Sequence, residues 1–115
     1  MTSIALDYDA EDDWLEVSFG RQDDLSQTYQ LNDNITIEIN SAMSRITRMT
    51  FVEYARLLMV NETEFTALHD EMPYTVAEIL RLLQRPPANQ LLLVVDPDAL
   101  IARVLSPTLQ DLFES

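Results

Sequence analysis

The feature that most constrains the fold is a series of short segments, between residues 4 and 54, in which apolar and polar side chains alternate. The clearest is segment 35–39, where three isoleucines alternate with Thr36 and Glu38. A period of two is typical of a β-strand with one buried face. Five such segments follow one another, so the sequence predicts an antiparallel β-meander over residues 4–54.

Short polar stretches separate the predicted strands. The acidic run 9–13 lies between the first two strands and predicts a hairpin, because Asp is favoured in turns. Gly20, the single glycine of the chain, ends the second strand. The fifth strand, near residues 46–52, alternates less clearly, which predicts either cover on both faces or a β-bulge.

Two amphipathic helices, together spanning residues 61–85, are predicted to cover the apolar face of the meander. The first has Asn61 and Glu64 in the arrangement of a capping box, and it is expected to end at Pro73. The second begins with the same arrangement at Thr75, and its apolar residues follow at helical spacing.

The C-terminal part, residues 90–115, is predicted to form a hairpin and a short helix. The apolar run 91–95 is typical of a strand buried on both faces, and 100–105 is its expected partner. Ser106 followed by proline predicts the start of the last helix. No linker interrupts the pattern, so one α+β domain over residues 1–115 is expected.

The charge of the chain restricts its partners. There are 20 acidic and 7 basic residues, and the formal net charge is −13. Nucleic acids are bound through Lys and Arg, and anionic lipids also attract basic surfaces, so neither a nucleic-acid nor a membrane partner is expected. A basic protein partner is compatible with this charge. The alternative is that the acidity serves solubility alone.

Four absences narrow the chemistry and the location that the sequence predicts. The chain has no cysteine and no lysine, which removes thiolate catalysis, zinc–thiolate sites and lysine Schiff bases. The first residues lack the basic and apolar regions of a signal peptide, and no apolar run approaches the length of a membrane span. We therefore expect a cytoplasmic protein without a cofactor.

The acidic turn has part of the pattern of a calcium-binding loop. Asp7, Asp9, Glu11 and Asp13 have the spacing of the first ligands of an EF-hand. Asp12 and Ser18 stand where that loop needs glycine and glutamate, so a solvated hairpin turn is predicted instead. If a divalent cation binds, the candidate ligands are Asp9, Glu11, Asp12 and Asp13.

No catalytic cluster is recognisable. His69 is the only histidine, and its neighbour Asp70 would point in a different direction on a helix. His69 is therefore predicted to be a surface residue at a helix end, with no hydroxyl nucleophile assigned to it. An enzyme is the less favoured interpretation.

The residues predicted to make protein contacts are Trp14, Tyr29, Leu91 and Leu93. Trp14 alternates with Leu15 and Val17, so it should lie on the face away from the core, covered either by a second subunit or by a C-terminal element of the same chain. The strand that contains Leu91 and Leu93 would risk aggregation at a sheet edge unless it is paired. Homodimer formation is one solution.

Three blocks of the N-terminal half resemble a known family. They are 8–17 (Tyr-Asp-Ala-Glu-Asp-Asp-Trp-Leu-Glu-Val), 34–39 and 46–52. Together they resemble the prokaryotic domain-of-unknown-function family numbered twenty-two eighty-three, over roughly residues 4–55. Ser44 and Arg48 stand where that family usually has glycines. The resemblance implies the β-rich fold, a prokaryotic cytoplasmic setting, and action beside a second small protein, as in toxin–antitoxin-like pairs.

Three functions remain open on the sequence. The first is a non-enzymatic protein-interaction or self-associating module, with an acidic partner for a basic protein as its sharper form. The second is a small ligand-binding protein or enzyme with a pocket between the helices and the sheet. The third is a divalent-cation protein that binds through the acidic turn.

Overall fold

The computed structural model of the protein describes residues 4–20, 25–60, 62–86 and 88–106. It is an α+β structure with antiparallel sheets, which confirms the predicted fold class. The chain forms two compact units, one up to Ala55 and one from Arg56 onward. Within the described ranges, no helix has both the length and the apolar character needed to span a lipid bilayer.

The first unit contains a five-stranded antiparallel sheet. Its strands are β1 (Ile4–Asp9), β2 (Trp14–Phe19), β3 (Gln27–Gln30), β4 (Ile35–Ile39) and β5 (Ile46–Val52), in the order β1-β2-β5-β4-β3. All five predicted strands are therefore present. The predicted meander order is wrong, because β2 pairs with β5 and not with β3. Strands that follow one another in sequence are neighbours in most cases, but not in all.

Alternation along the inner strands produces one apolar face and one polar face, because the pleat points successive side chains to opposite sides. The buried side chains of the apolar face are Leu15, Val17, Phe19, Ile35, Ile37, Ile39, Met49 and Phe51. The polar face carries the intervening side chains Trp14, Glu16, Ser18, Thr36, Glu38, Arg48 and Thr50.

The irregular fifth strand contains a β-bulge at Thr47. Glu38 pairs with Arg48 and Ile39 pairs with Ile46, so Thr47 is an extra residue on β5. Ile46 and Thr47 are both buried, and the Thr47 hydroxyl donates a hydrogen bond to the Glu38 carbonyl oxygen at 3.3 Å. Of the two alternatives predicted for this strand, the bulge is confirmed.

At each hairpin turn of the first unit, an Asp or Asn side chain accepts two backbone N–H groups. The acceptors are Asp9 (3.0 and 3.4 Å), Asn32 (2.9 and 3.0 Å) and Asn40 (2.8 and 3.0 Å). Two of these turns also contain a residue at positive φ, Asp13 at 54° and Met43 at 55°. Side-chain acceptors thus stabilise turns in which glycine is often used.

The second unit contains a three-stranded antiparallel sheet and short helices. Its strands are β6 (Thr63–Glu64), β7 (Leu92–Asp96) and β8 (Ile101–Val104), in the order β6-β8-β7. Helix α2 (Pro73–Leu83) and the 3₁₀ helices Thr66–Asp70 and Ala88–Gln90 come between β6 and β7 in the chain. Helix α1 (Tyr54–Met59) directly follows the first sheet, and the alternation pattern does not predict it.

The first predicted helix is wrong. Its expected cap, Asn61, lies outside the described residues, and the next residues form β6 and pair with β8. The N–H of Phe65 donates to the Leu100 carbonyl oxygen at 2.8 Å. Strand pairing thus uses backbone groups that a helix would need, and only the short 3₁₀ helix remains.

The second predicted helix is confirmed as α2, with an earlier start. Pro73 begins it instead of ending the previous helix, because proline lacks only an N–H that the first helical position does not use. The N-cap is Met72, without a side-chain hydrogen bond, so the cap predicted at Thr75 is wrong. The buried side chains of α2 are Ile79, Leu82 and Leu83.

The predicted C-terminal hairpin is confirmed as β7 and β8. Strand β7 is not buried on both faces, however, because Leu92 is buried whereas Leu93 and Val95 are about half exposed. Its pairing with β8 is irregular between Val94 and Asp96. The helix predicted from Ser106 onward lies almost wholly outside the described residues.

Candidate functional site

The polar face of the first sheet carries the only tryptophan of the chain. Trp14 begins β2, lies opposite Val52 of β5, and is 46% exposed. Its neighbours Leu15 and Val17 are buried, which confirms the prediction that Trp14 lies on the face away from them. A half-exposed tryptophan is notable because large aromatic residues are enriched at protein interfaces.

An open groove of about 320 Å³ lies on the polar face beside Trp14. Its lining residues are Trp14, Glu16, Thr28, Thr36, Ile37, Glu38, Arg48 and Thr50. They come from β2, β3, β4 and β5, and the register places Glu38 directly opposite Arg48. We call this feature the polar groove. Three threonines and Trp14 surround the charged side chains at the centre of the groove.

Arg48 lies between two glutamates in the polar groove. Its Nη1 donates a hydrogen bond to Glu38 Oε2 at 2.8 Å. Its Nε is 3.1 Å from Glu16 Oε1 but makes no directed hydrogen bond within the described residues, so this pair is an electrostatic contact. Glu38 also accepts a hydrogen bond from the Ser26 hydroxyl at 3.0 Å. Two carboxylates against one guanidinium leave the groove with net negative charge.

The acidic turn uses Asp9 for its own backbone. Asp9 Oδ1 accepts the N–H groups of Glu11 and Asp12. Within the described residues, no three His, Asp or Glu side chains are grouped so that they could hold a metal ion. The structure therefore does not bring together the candidate cation ligands Asp9, Glu11, Asp12 and Asp13.

Asp13 connects the acidic turn to helix α1. Its carbonyl oxygen accepts the N–H of Tyr54 at 3.0 Å, and its carboxylate accepts the N–H of Ala55 at 2.9 and 3.1 Å. The Tyr8 hydroxyl donates to the same carboxylate at 2.7 Å. Since Ala55 is in the first turn of α1, Asp13 caps this helix from a distant part of the chain.

The hydrogen bond to Asp13 raises the pKa of the Tyr8 phenol above its ordinary value of 10.0, because a phenolate could not donate it. Slight desolvation and the negative charges of Asp13 and Asp9 act in the same direction. The Tyr8 ring meets the Tyr54 ring at 6.3 Å, and the Tyr54 ring lies 5.6 Å from that of Phe51. These aromatic contacts hold the start of α1 beside the sheet.

The single histidine is a surface residue near the end of a 3₁₀ helix. His69 Nε2 lies 2.7 Å from Glu64 Oε2, and both side chains are about half exposed. This agrees with the predicted surface position. At such exposed positions a contact of this kind, whether hydrogen bond or ion pair, stabilises a protein by about 1 kcal/mol or less.

The other predicted contact residues lie elsewhere. Tyr29 pairs with Ile37, so it is on the apolar side of β3, and its hydroxyl donates to Gln27 Oε1 at 2.7 Å. Leu91 is 1% exposed, so its assignment as a contact residue is wrong: the run that begins with it is turned inward at its first two positions. Leu93 is 45% exposed and remains accessible.

The charged residues of the polar groove were not identified from the sequence. Glu16, Glu38 and Arg48 each occupy an ordinary polar position in an alternating strand. Their convergence depends on β5 lying between β2 and β4, which local patterns do not specify. The only signal in the sequence was Trp14 on the same side as Glu16.

Comparison with protein-family models, with curated proteins and with solved structures gave no match. The resemblance of residues 4–55 to the prokaryotic family stays a prediction.

Proposed function

We propose that this protein is a non-enzymatic interaction module whose polar groove binds a basic segment of a partner protein. The observation that carries the proposal is the half-exposed Trp14 beside Glu16 and Glu38, on a chain with a net charge of −13. The cytoplasmic location, the prokaryotic setting and homodimer formation remain predictions from the sequence.

The chemistry of the groove suits an arginine or lysine side chain. A cation over the face of a tryptophan gains a cation–π interaction, and arginine forms it most often. Ionised carboxylates accept strong, charge-assisted hydrogen bonds from a guanidinium. Glu16 and Glu38 both retain acceptor sites after contacting Arg48, because each carboxylate can accept about four hydrogen bonds.

The charge of the whole chain supports the same class of partner. An excess of carboxylates creates an attractive field for a basic segment and a repulsive one for nucleic acids. Such complementarity increases the association rate and specificity more than the affinity itself. The interaction should therefore weaken strongly when salt is added.

Trp14 provides a direct readout, since it is the only tryptophan and lines the groove. We would titrate the intact protein with the acetylated, amidated peptide Arg-Val-Arg-Val-Arg-Val and follow tryptophan emission. The expected result is a saturable change that disappears at roughly 1 M salt, where the screening length is only ~3 Å. The same peptide with Glu in place of Arg should produce no change.

Two groove variants and a matched control test the position of the contact. Glu16→Gln and Glu38→Gln should each weaken binding by up to about five-fold, the value of a strong exposed ion pair. Glu71→Gln removes the same charge from an exposed position outside the groove and should leave binding unchanged. Equal losses in all three variants would show that only the overall charge matters and would reject the groove.

The second function, a small-ligand protein or enzyme, stays a prediction. The groove is open to solvent, whereas small-molecule sites usually bury most of the surface of the ligand. Screening small molecules becomes the next step if no basic peptide binds.

A further inference from the structure

Strand β1 is one edge of the five-stranded sheet. It pairs with β2 on one side, and no described strand pairs with its other side. Every second residue of an edge strand presents an N–H and a C=O that another strand can bind. The six residues Ile4–Asp9 thus form a template long enough for a typical strand.

The two faces of β1 differ in chemistry. Leu6 pairs with Val17 and Tyr8 pairs with Leu15, so both lie on the apolar side, yet they are 42% and 47% exposed. Asp7 lies on the polar side, opposite Glu16. The open edge of β1 therefore has exposed apolar side chains on the apolar side of the sheet and the Asp7 carboxylate on the polar side.

The pairing of Asp7 with Glu16 is unfavourable in the free protein. Like charges directly opposite one another in an antiparallel pair destabilise it. Arg48, 3.1 Å from Glu16, offsets part of this repulsion, but within the described part of the chain Asp7 itself has no ion pair. A positive charge placed on the open side of Asp7 would relieve it.

We propose that the β1 edge accepts an extended, basic segment of a partner protein as a sixth strand. Its basic side chains lie next to Asp7 on the polar side, and its alternating apolar side chains cover Leu6 and Tyr8. This inference rests on the proposed function because it assumes the same basic partner. It adds a second contact at the β1 edge, which β1, β2 and β5 separate from Glu38 of the groove. Backbone hydrogen bonds supply the affinity in such a complex, and alternate side chains supply the specificity.

Charge decides between a partner and a second copy at this edge. Antiparallel pairing of β1 with another β1 would bring two Asp7 carboxylates close together and add the strand-terminal Asp9 to both ends. Charged residues of this kind prevent self-pairing of edge strands. A basic segment would instead place positive charges next to Asp7 and Asp9, so that these contacts become attractive.

The other described edges are less suitable for a basic strand, and β6 has only two residues. Strand β3 has four residues, none of them charged. Strand β7 pairs irregularly with β8 between Val94 and Asp96, and such irregularity bends an edge away from regular pairing.

The test compares the peptide Arg-Val-Arg-Val-Arg-Val with its fully N-methylated form, on the intact protein. Both carry the same charge, but only the first can donate backbone hydrogen bonds to an edge. We expect the methylated form to bind at least about ten-fold more weakly, since one net hydrogen bond is worth roughly 1 kcal/mol and several are lost. Hydrogen exchange of the β1 amides should slow only with the unmethylated peptide.

Asp7→Asn and the control Asp98→Asn locate the contact. Asp98 is exposed in the turn between β7 and β8, so its variant removes one charge far along the chain. Asp7→Asn should weaken binding by about five-fold and Asp98→Asn should not, if the cation lies next to Asp7. At the same time, Asp7→Asn should not lower the melting temperature, because it removes a repulsive pair.

The outcomes separate this inference from the proposed function. Equal binding of both peptides, with loss in Glu38→Gln but not in Asp7→Asn, overturns strand addition and leaves the polar groove as the binding site. No response of Trp14 to either peptide, together with no slowing of hydrogen exchange at the β1 amides, overturns both. Loss on methylation together with protected β1 amides establishes the sixth strand.

Discussion

Substitutions at Asp13 test how the acidic turn and helix α1 are joined. The Asp13 side chain accepts the N–H of Ala55 and the hydroxyl of Tyr8, and its backbone has a positive φ of 54°. Two separate effects therefore act at one position. One is the loss of the helix cap. The other is the free-energy cost of a positive φ for a residue that does not tolerate the left-handed region.

Three replacements separate these effects. Asp13→Ala loses the cap, at ~1 kcal/mol, and places a Cβ without a polar group at positive φ, at a further ~1 kcal/mol. Asp13→Gly loses the cap but adopts positive φ freely, so about 1 kcal/mol is expected. Asp13→Asn keeps an acceptor and tolerates the left-handed region, so a loss below ~0.5 kcal/mol is expected.

Urea unfolding followed by Trp14 fluorescence measures these changes, since Trp14 directly follows Asp13. Asp12→Ala is the control, because Asp12 is exposed and contributes only its backbone N–H to the turn. Surface changes of that type stay within about 0.5 kcal/mol. Equal losses for Ala and Gly would refute the backbone argument, and a loss for Ala no larger than that of the control would refute the cap.

The remaining predictions concern Tyr8 and Leu100. The raised pKa of Tyr8 means that the folded state holds the phenol proton more tightly, so its stabilising contribution is complete below pH 10 and decreases as the pH rises through the folded-state pKa. Tyr8→Phe should remove that part of the alkaline loss of melting temperature, and an unchanged pH profile would contradict it. Leu100 is buried at φ 60°, so Leu100→Gly relieves ~1 kcal/mol of backbone strain and loses ~2 kcal/mol of burial. The free energy of unfolding is expected to fall by about 1 kcal/mol in urea unfolding followed by circular dichroism. A more stable variant would mean that the relief of backbone strain outweighs the loss of burial.

Local patterns were sufficient to predict seven of the eight described strands, all but β6, and helix α2. The isoleucines of β4 alternate without interruption, and each of them is buried. The first hairpin turn was predicted as well, because the acidic run 9–13 contains Asp9, whose side chain binds nearby backbone groups. In these elements, the residues that determine the structure lie within a few positions of the structure that they determine.

The elements that were missed depend on partners far away in the chain. Helix α1 is capped by Asp13, which the sequence around Tyr54 does not reveal. Strand β6 exists because Thr63 and Glu64 pair with β8, against a local pattern that favours a helix. Tertiary contacts decide both cases over local propensity.

The candidate site was predictable only in part, for the same reason. The exposure of Trp14 followed from alternation alone. The groove beside it required the pairing of β2 with β5, which brings Glu16 and Arg48 together. A meander order would have separated these residues by other strands.

The strand order also has a consequence for synthesis of the chain. Hairpin β1–β2 is made first, but its partner β5 leaves the ribosome only after β3 and β4. Until then both edges of that hairpin are open, and isolated two-stranded hairpins are marginally stable in water. By contrast, β3, β4 and β5 can pair as each is made. We therefore expect the β3–β5 meander to fold first. Hairpin β1–β2, although synthesised earlier, should join it last, in the slower, non-local step.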